Sequence, residues 1–147
     1  MIWYSMAKWI LVFIPLFFYV ESSQISNKEK EAILVVYVKP SLNFSSFRLL
    51  LDEREVLPEI RRNTYYVIKT TPGRVKLETK GATLRNLTEN KSYSLTLEAG
   101  KTYYLEAIRE YQVLMSTLHL VRRPQQTGEL AIEKMNAEYI DLTKSNL

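Results

Sequence analysis

The sequence has no cysteine among its 147 residues. Disulfides, thiolate metal sites, cysteine nucleophiles and cysteine-linked lipid anchors are therefore excluded together. Histidine occurs once, as His119, which rules out a histidine-rich metal site. No nucleophile stands at a recognisable motif spacing from it. Glycine is scarce as well. Gly73, Gly81, Gly100 and Gly128 are spread through turn-like or loop-like stretches, and none belongs to a phosphate-cradling or dinucleotide fingerprint. The formal net charge is +4, from 20 Lys and Arg against 16 Asp and Glu. These cations are scattered, with Arg61-Arg62 and Arg122-Arg123 the densest pairs, so the basic stripe of a nucleic-acid face is missing. There is no internal repeat or low-complexity segment.

What remains is ordinary globular composition, 46% apolar and 24% charged, in a length that suits one domain. The first stretch differs from the rest. Between Met1 and Val20 the only charge is Lys8, and Trp9–Val20 (WILVFIPLFFYV) follows it uncharged. Polarity returns abruptly at Glu21-Ser22-Ser23-Gln24. A short basic start, an apolar core and small residues afterwards form a secretory signal pattern, with Val20 and Ser22 placed for a cut after Ser22. Pro15 and the shortness of the core argue against a permanent span, which needs about 20 apolar residues. An uncleaved anchor over Ile2–Val20 is the alternative, and a start at Met6 is as open as one at Met1. The expected division is 1–22 signal peptide or signal anchor, 23–31 polar tether, 32–135 β domain and 136–147 C-terminal tail.

From Ala32 onward the patterning is that of strands. Ala32–Lys39 is apolar on both faces and bounded by Pro40, which predicts a central rather than an edge strand. Phe47–Asp52, Glu55–Leu57 and Tyr65–Lys69 follow, with turns at Asp52-Glu53-Arg54 and Thr71-Pro72-Gly73. Val75 and Leu77 then alternate with Lys76 and Glu78. Tyr93, Leu95 and Leu97 alternate with Ser94, Thr96 and Glu98, and Tyr103, Leu105 and Ala107 alternate with Tyr104, Glu106 and Ile108. This period of two predicts one core holding Val75, Leu77, Leu95, Leu97 and Leu105, with Lys76, Glu78, Thr96 and Glu106 outside. Gly81–Asn90 reads as a loop, Val113–Val121 as a strand and Arg122–Gln126 as a basic loop. Ala131, Met135, Tyr139 and Leu142 have helical spacing, and Thr127 is a candidate cap, whereas Leu130 and Ile132 would instead suit a strand; a short helix is the favoured reading. The fold class expected is all-β, a single antiparallel β-sandwich with a short C-terminal helix.

Several of these residues carry a resemblance. They are Ile33–Val38, Leu49-Leu50-Leu51-Asp52 with Val56, Tyr65-Tyr66, Pro72-Gly73 with Val75 and Leu77, and Ser94 to Leu105 (SLTLEAGKTYYL). On them, Ala32–Lys134 resembles a bacterial envelope family known as domain of unknown function 2846. The resemblance implies an immunoglobulin- or transthyretin-like sandwich and envelope placement. Members of that family are often lipoproteins, and this chain departs from them because no cysteine follows its apolar core. No activity and no site residues carry over.

Each chemical candidate has a plainer reading. His119 alternates with Leu118 and Leu120 and is expected half-exposed in a strand. Asp52, Glu53 and Glu55 cluster at a turn, whereas a glycosidase needs two carboxylates converging across a cleft and calcium about six oxygens. Tyr65-Tyr66 and Tyr103-Tyr104 each put one ring in the core and one outside, so cross-strand packing competes with an exposed binding row. Asn43-Phe44-Ser45, Asn86-Leu87-Thr88 and Asn90-Lys91-Ser92 match the glycosylation acceptor pattern and would mark exposed loops only in a eukaryotic chain. No catalytic, cofactor-binding or metal residues are expected. The expected role is an exported, non-catalytic envelope protein acting through a protein or surface partner. It would meet no nucleic acid, and a membrane only through an uncleaved leader. A glycan- or small-ligand-binding module using exposed tyrosines is the alternative.

Overall fold

A computed structural model describes residues 31–40, 47–81, 88–113, 115–135 and 138–142. The expected signal segment and most of the tether lie outside the described residues. Ten strands and one helix occur among those described, in the order β1 (Ala32–Val38), β2 (Phe47–Leu51), β3 (Arg54–Leu57), β4 (Thr64–Thr70), β5 (Gly73–Gly81), β6 (Thr88–Glu89), β7 (Lys91–Leu97), β8 (Thr102–Tyr111), β9 (Ser116–Arg123), α1 (Gln125–Met135) and β10 (Glu138–Asp141). They form a six-stranded sheet, β10-β4-β1-β8-β9-β6, and a four-stranded sheet, β3-β2-β5-β7. Strand β1, apolar on both faces, is central as its composition demands.

The inward side chains of both sheets form one hydrophobic cluster. Leu34, Val36, Tyr66, Ile68, Leu105 and Leu118 come from the larger sheet and Phe47, Leu49, Val75, Leu77, Leu95 and Leu97 from the smaller. All five predicted core residues are in it. Lys76 and Thr96 face solvent and Glu78 is half-buried, as the alternation requires, but Glu106 does not follow.

The all-β expectation and the short helix hold, whereas purely antiparallel pairing does not. β1 pairs β8 in parallel, as do β10 with β4 and β6 with β9. Alternation reports which face a side chain takes. It carries no record of the neighbouring strand, which depends on where the chain crosses between sheets. Here β2 and β3 leave for the second sheet and β4 returns on one flank of β1. β5 and β7 also lie in the second sheet, and β8 returns on the other flank of β1.

Local turn chemistry explains the smaller sheet's edge. Asp52 and Glu53 both take positive φ, 47° and 69°, which joins β2 to β3 through a tight two-residue hairpin. Asp52 also ties this turn to β5, where its Oδ1 accepts from the Lys76 amide at 2.8 Å. Gly73 and Gly100 have φ of 130° and 72°, so the two predicted turns use glycine where an L side chain would be strained.

The C-terminal part departs most from expectation. Arg122 and Arg123 end β9 instead of forming a loop, and α1 begins directly after Pro124, whose carbonyl accepts from the Gly128 amide at 3.0 Å. Proline suits this place because a helix start needs no donor there. Thr127 lies inside the helix and does not cap it. Tyr139 belongs to β10, which pairs β4, and Leu142 is buried in the core, so the segment expected as a tail completes the sheet. Helical spacing misled here because two short elements happened to share it.

Gly128, expected in a loop, is the buried residue of α1. A Cβ there would overlap the ring of Tyr104 and lie 2.6 Å from its Cβ. Glycine in a helix costs about 1 kcal/mol against alanine, and here close approach of helix to sheet requires it. Gly128→Ala is expected to destabilise by about 1–2 kcal/mol, overpacking outweighing the gain in helix propensity. Combining it with Tyr104→Ala should recover helix content; a Gly128→Ala protein melting higher than wild type by circular dichroism would contradict this packing.

Candidate functional site

The outer face of the six-stranded sheet, under and beside α1, holds the buried charge of the described residues. Register explains how it is assembled. Tyr37 on β1 lies opposite Glu106 on β8, and Glu106 lies opposite Val121 on β9. Lys39, just past the end of β1, and Arg123, the last residue of β9, stand two residues further along, diagonal to Glu106. The three strands thus set Lys39, Glu106 and Arg123 in a row. Lys39 Nζ is 2.8 Å from Glu106 Oε1, and Arg123 Nε donates to Glu106 Oε2 at 2.7 Å.

Glu106 was expected outside and is 6% exposed. Its alternation was read correctly, but its face is not solvent, because neighbouring strands and α1 shield it. Burial pushes the Glu106 carboxyl up. The hydrogen bonds and charges of Lys39 and Arg123 outweigh that and hold it below its ordinary value. Tyr37 is fully buried on the same face, and burial followed by the nearby Glu106 charge raises its phenol. A carboxylate clamped ionised between two cations is a fastening between strands, and it is not tuned for proton transfer near neutral pH.

Beside this row, α1 and the end of β1 enclose a groove of about 590 Å³. Pro40, Leu130, Ala131 and Met135 give it apolar walls, and Lys39 and Lys134 bring positive charge. Leu130 is 46% exposed although it is a large aliphatic residue. Lys134 in the last turn of the helix complements the helix dipole and makes no ion pair among the described residues. A volume of this order is typical of a ligand or peptide cleft. At the other end of α1 a second groove, about 530 Å³, is lined by Lys101, Arg122 and Arg123 with Tyr103. Its cations are engaged, Lys101 by Glu98, Arg122 by the Tyr103 ring at 4.9 Å and Arg123 by Glu106.

Of the chemical candidates singled out by sequence, Tyr103 lines the second groove, and His119 and the Asp52, Glu53 and Glu55 cluster line neither. His119 is half-buried on β9, with Nε2 3.0 Å from Thr117 Oγ1 and 3.1 Å from Glu110 Oε2. Asp52 and Glu53 form the β2–β3 turn, and Glu55 points to Arg48 at 3.3 Å. Asn90 is exposed before β7, while Asn43 and Asn86 lie outside the described residues. Tyr66 and Tyr103 are in the core, and their neighbours Tyr65 and Tyr104 are half-buried on the outer face. Tyr65 packs on its register partner Tyr139 with ring centroids 5.3 Å apart. Tyr111 and Tyr139 are the strongly exposed tyrosines described, and they sit at separate places: the β8–β9 hairpin and edge strand β10.

Sequence reasoning missed the Lys39–Glu106–Arg123 row. Its one signal was a carboxylate inside the apolar run Tyr103–Ile108, and its partners are 67 residues upstream and 17 downstream, as the numbering shows. No helix of the described residues is long and apolar enough to cross a membrane. No model of a known protein family matches the chain, and no curated protein does so either.

Proposed function

We propose that the chain is an exported, non-catalytic β-sandwich protein of the cell envelope that acts by contact, with the groove beside α1 as its docking site. The groove is the observation that carries this reading. Its apolar walls and Lys134, with Lys39 held on Glu106 at its rim, suit a partner segment that carries apolar side chains and an acidic one. Support for export comes from the leader pattern Lys8 and Trp9–Val20. The likeness to domain of unknown function 2846 supports an immunoglobulin- or transthyretin-like arrangement of the two sheets. The alternative, a glycan- or small-ligand module using exposed tyrosines, is less favoured because Tyr65 and Tyr139 pack on each other and Tyr111 is remote from their strand pair.

A photo-crosslinking residue placed at Leu130 in the full chain, irradiated in growing cells, tests the docking site. A discrete adduct with an envelope protein is expected from position 130, lost on adding Lys134→Glu and absent when the probe replaces Thr96. Equal labelling from both positions would refute the groove. Intact mass of the recovered protein tests export in the same preparation: a species cut near Ser22 is expected, and one retaining Trp3 and Trp9 in the cytoplasmic fraction would refute it.

A further inference from the structure

We propose that the groove between the start of β8 and the start of α1 binds a phosphate group, held by Arg122 and Lys101. The site lies at the opposite end of α1 from the docking groove and does not depend on it. Register brings its cations together. Arg122 on β9 lies opposite Leu105 on β8 and diagonal to Tyr103, and Lys101 immediately precedes β8. No carboxylate lines the groove among the described residues, and the first turn of α1 brings none.

What holds each cation decides what it can still bind. The Arg122 guanidinium lies over the Tyr103 ring at 4.9 Å. That ring is buried, and its hydroxyl accepts from the Glu98 amide at 2.9 Å. Stacking on a fixed ring orients the planar fork without neutralising its charge. Arg122 is exposed and makes no ion pair among the described residues. Lys101 is paired with Glu98, but the two side chains are 59% and 63% exposed, and a pair so open to water is worth little and exchanges partners readily. The hydrogen bond and charge of Glu98 raise the Lys101 ammonium while Arg122 works against them, so the two cations already sense each other. Arg123, in contrast, is committed to Glu106 and adds only its field.

The kinds of donor select the occupant. A carboxylate is satisfied by one arginine fork, whereas a phosphate monoester carries about −1.5 to −2 charge at neutral pH and three acceptor oxygens. An oriented guanidinium, a movable ammonium and the hydroxyl of Thr102, which lines the same groove, are three donor groups of different reach. Repulsion between Lys101 and Arg122 is relieved by a group that accepts from both, and a neutral ligand leaves it in place.

Calorimetric titration of the full chain with inorganic phosphate and with glycerol 3-phosphate, at constant ionic strength, tests the site. Saturable one-to-one binding is expected. Arg122→Gln should weaken it about tenfold or more, the effect of losing a charge-assisted hydrogen bond, and Lys101→Gln should weaken it less. Arg122→Lys keeps the charge but not the fork and is expected to fall between wild type and Arg122→Gln. Lys76→Gln removes an exposed cation on the other sheet and should bind as wild type does. Circular dichroism checks that each variant is folded. Acetate is the carboxylate comparison, and vesicles containing phosphatidic acid present the same monoester on a lipid. Saturation by the soluble ester assigns a soluble ligand, and saturation by the vesicles alone assigns a headgroup. Acetate binding as tightly as phosphate, equal weakening by Lys76→Gln and Arg122→Gln, or saturation by none of the phosphates overturns the proposal. Adducts from position 130 test the docking groove separately, so either reading can fail while the other stands.

Discussion

Leu97→Ala is expected to cost about 2–5 kcal/mol, the range for truncating a buried leucine, while Thr96→Ala changes stability by no more than about 0.5 kcal/mol. Adjacent residues of one strand take opposite faces. Leu97 is 2% exposed and belongs to the cluster shared by both sheets, whereas Thr96 faces solvent. Leu97 also lies opposite Gly73, which presents no side chain to fill a void. The loss is a large part of the about 5–15 kcal/mol that holds an ordinary domain together. Urea titration checks it through a lower midpoint at unchanged slope for Leu97→Ala alone. Equal destabilisation by the two substitutions would contradict the assigned register.

Glu106→Gln is expected to cost about 2–3 kcal/mol at neutral pH, through two charge-assisted hydrogen bonds lost in a buried setting. The cost stays below that of a fully buried pair because Lys39 and Arg123 are 55% and 35% exposed and regain solvent. Its pH dependence distinguishes the ion pairs from simple packing. The folded pKa of Glu106 is depressed, so the unfolded chain binds its proton first as pH falls. Stability from this group is therefore complete above the ordinary glutamate range, about 4.3, and is lost as pH falls below it through the lower folded value. The stability gap between wild type and Glu106→Gln should accordingly be widest near pH 7 and close in acid. Glu78, also held low by its hydrogen bond to Lys76 and despite its own desolvation, titrates in both proteins and cancels from the difference. A gap that persists unchanged to pH 3 would remove the ion pairs as its cause.

The residue pattern by itself determined the class of the fold and which face each side chain takes. β-branched and aromatic runs interrupted by proline and glycine specify strands, and a period of two divides Leu77 from Lys76 and Leu97 from Thr96 without knowledge of any neighbour. The central place of β1 was equally legible, because a strand apolar on both faces is stable only when both are covered. Composition likewise removed thiol chemistry and histidine clusters from consideration.

Tertiary structure decided what covers each face and which strands meet. Glu106 and Thr96 both lie opposite core residues, yet one is buried and the other is solvated. The difference is that β8 lies between β1 and β9 under α1, whereas β7 is an edge strand. Lys39, Glu106 and Arg123 become neighbours through a parallel pairing and an antiparallel one that no local signal encodes. The C-terminal segment shows the same limit from the other side. Its helical spacing was real, but the backbone pairing offered by the free edge of β4 outweighed it, and residues 138–141 became a strand. Local propensity is a matter of tenths of a kcal/mol per residue, while pairing and burial are worth more and depend on partners distant in the chain.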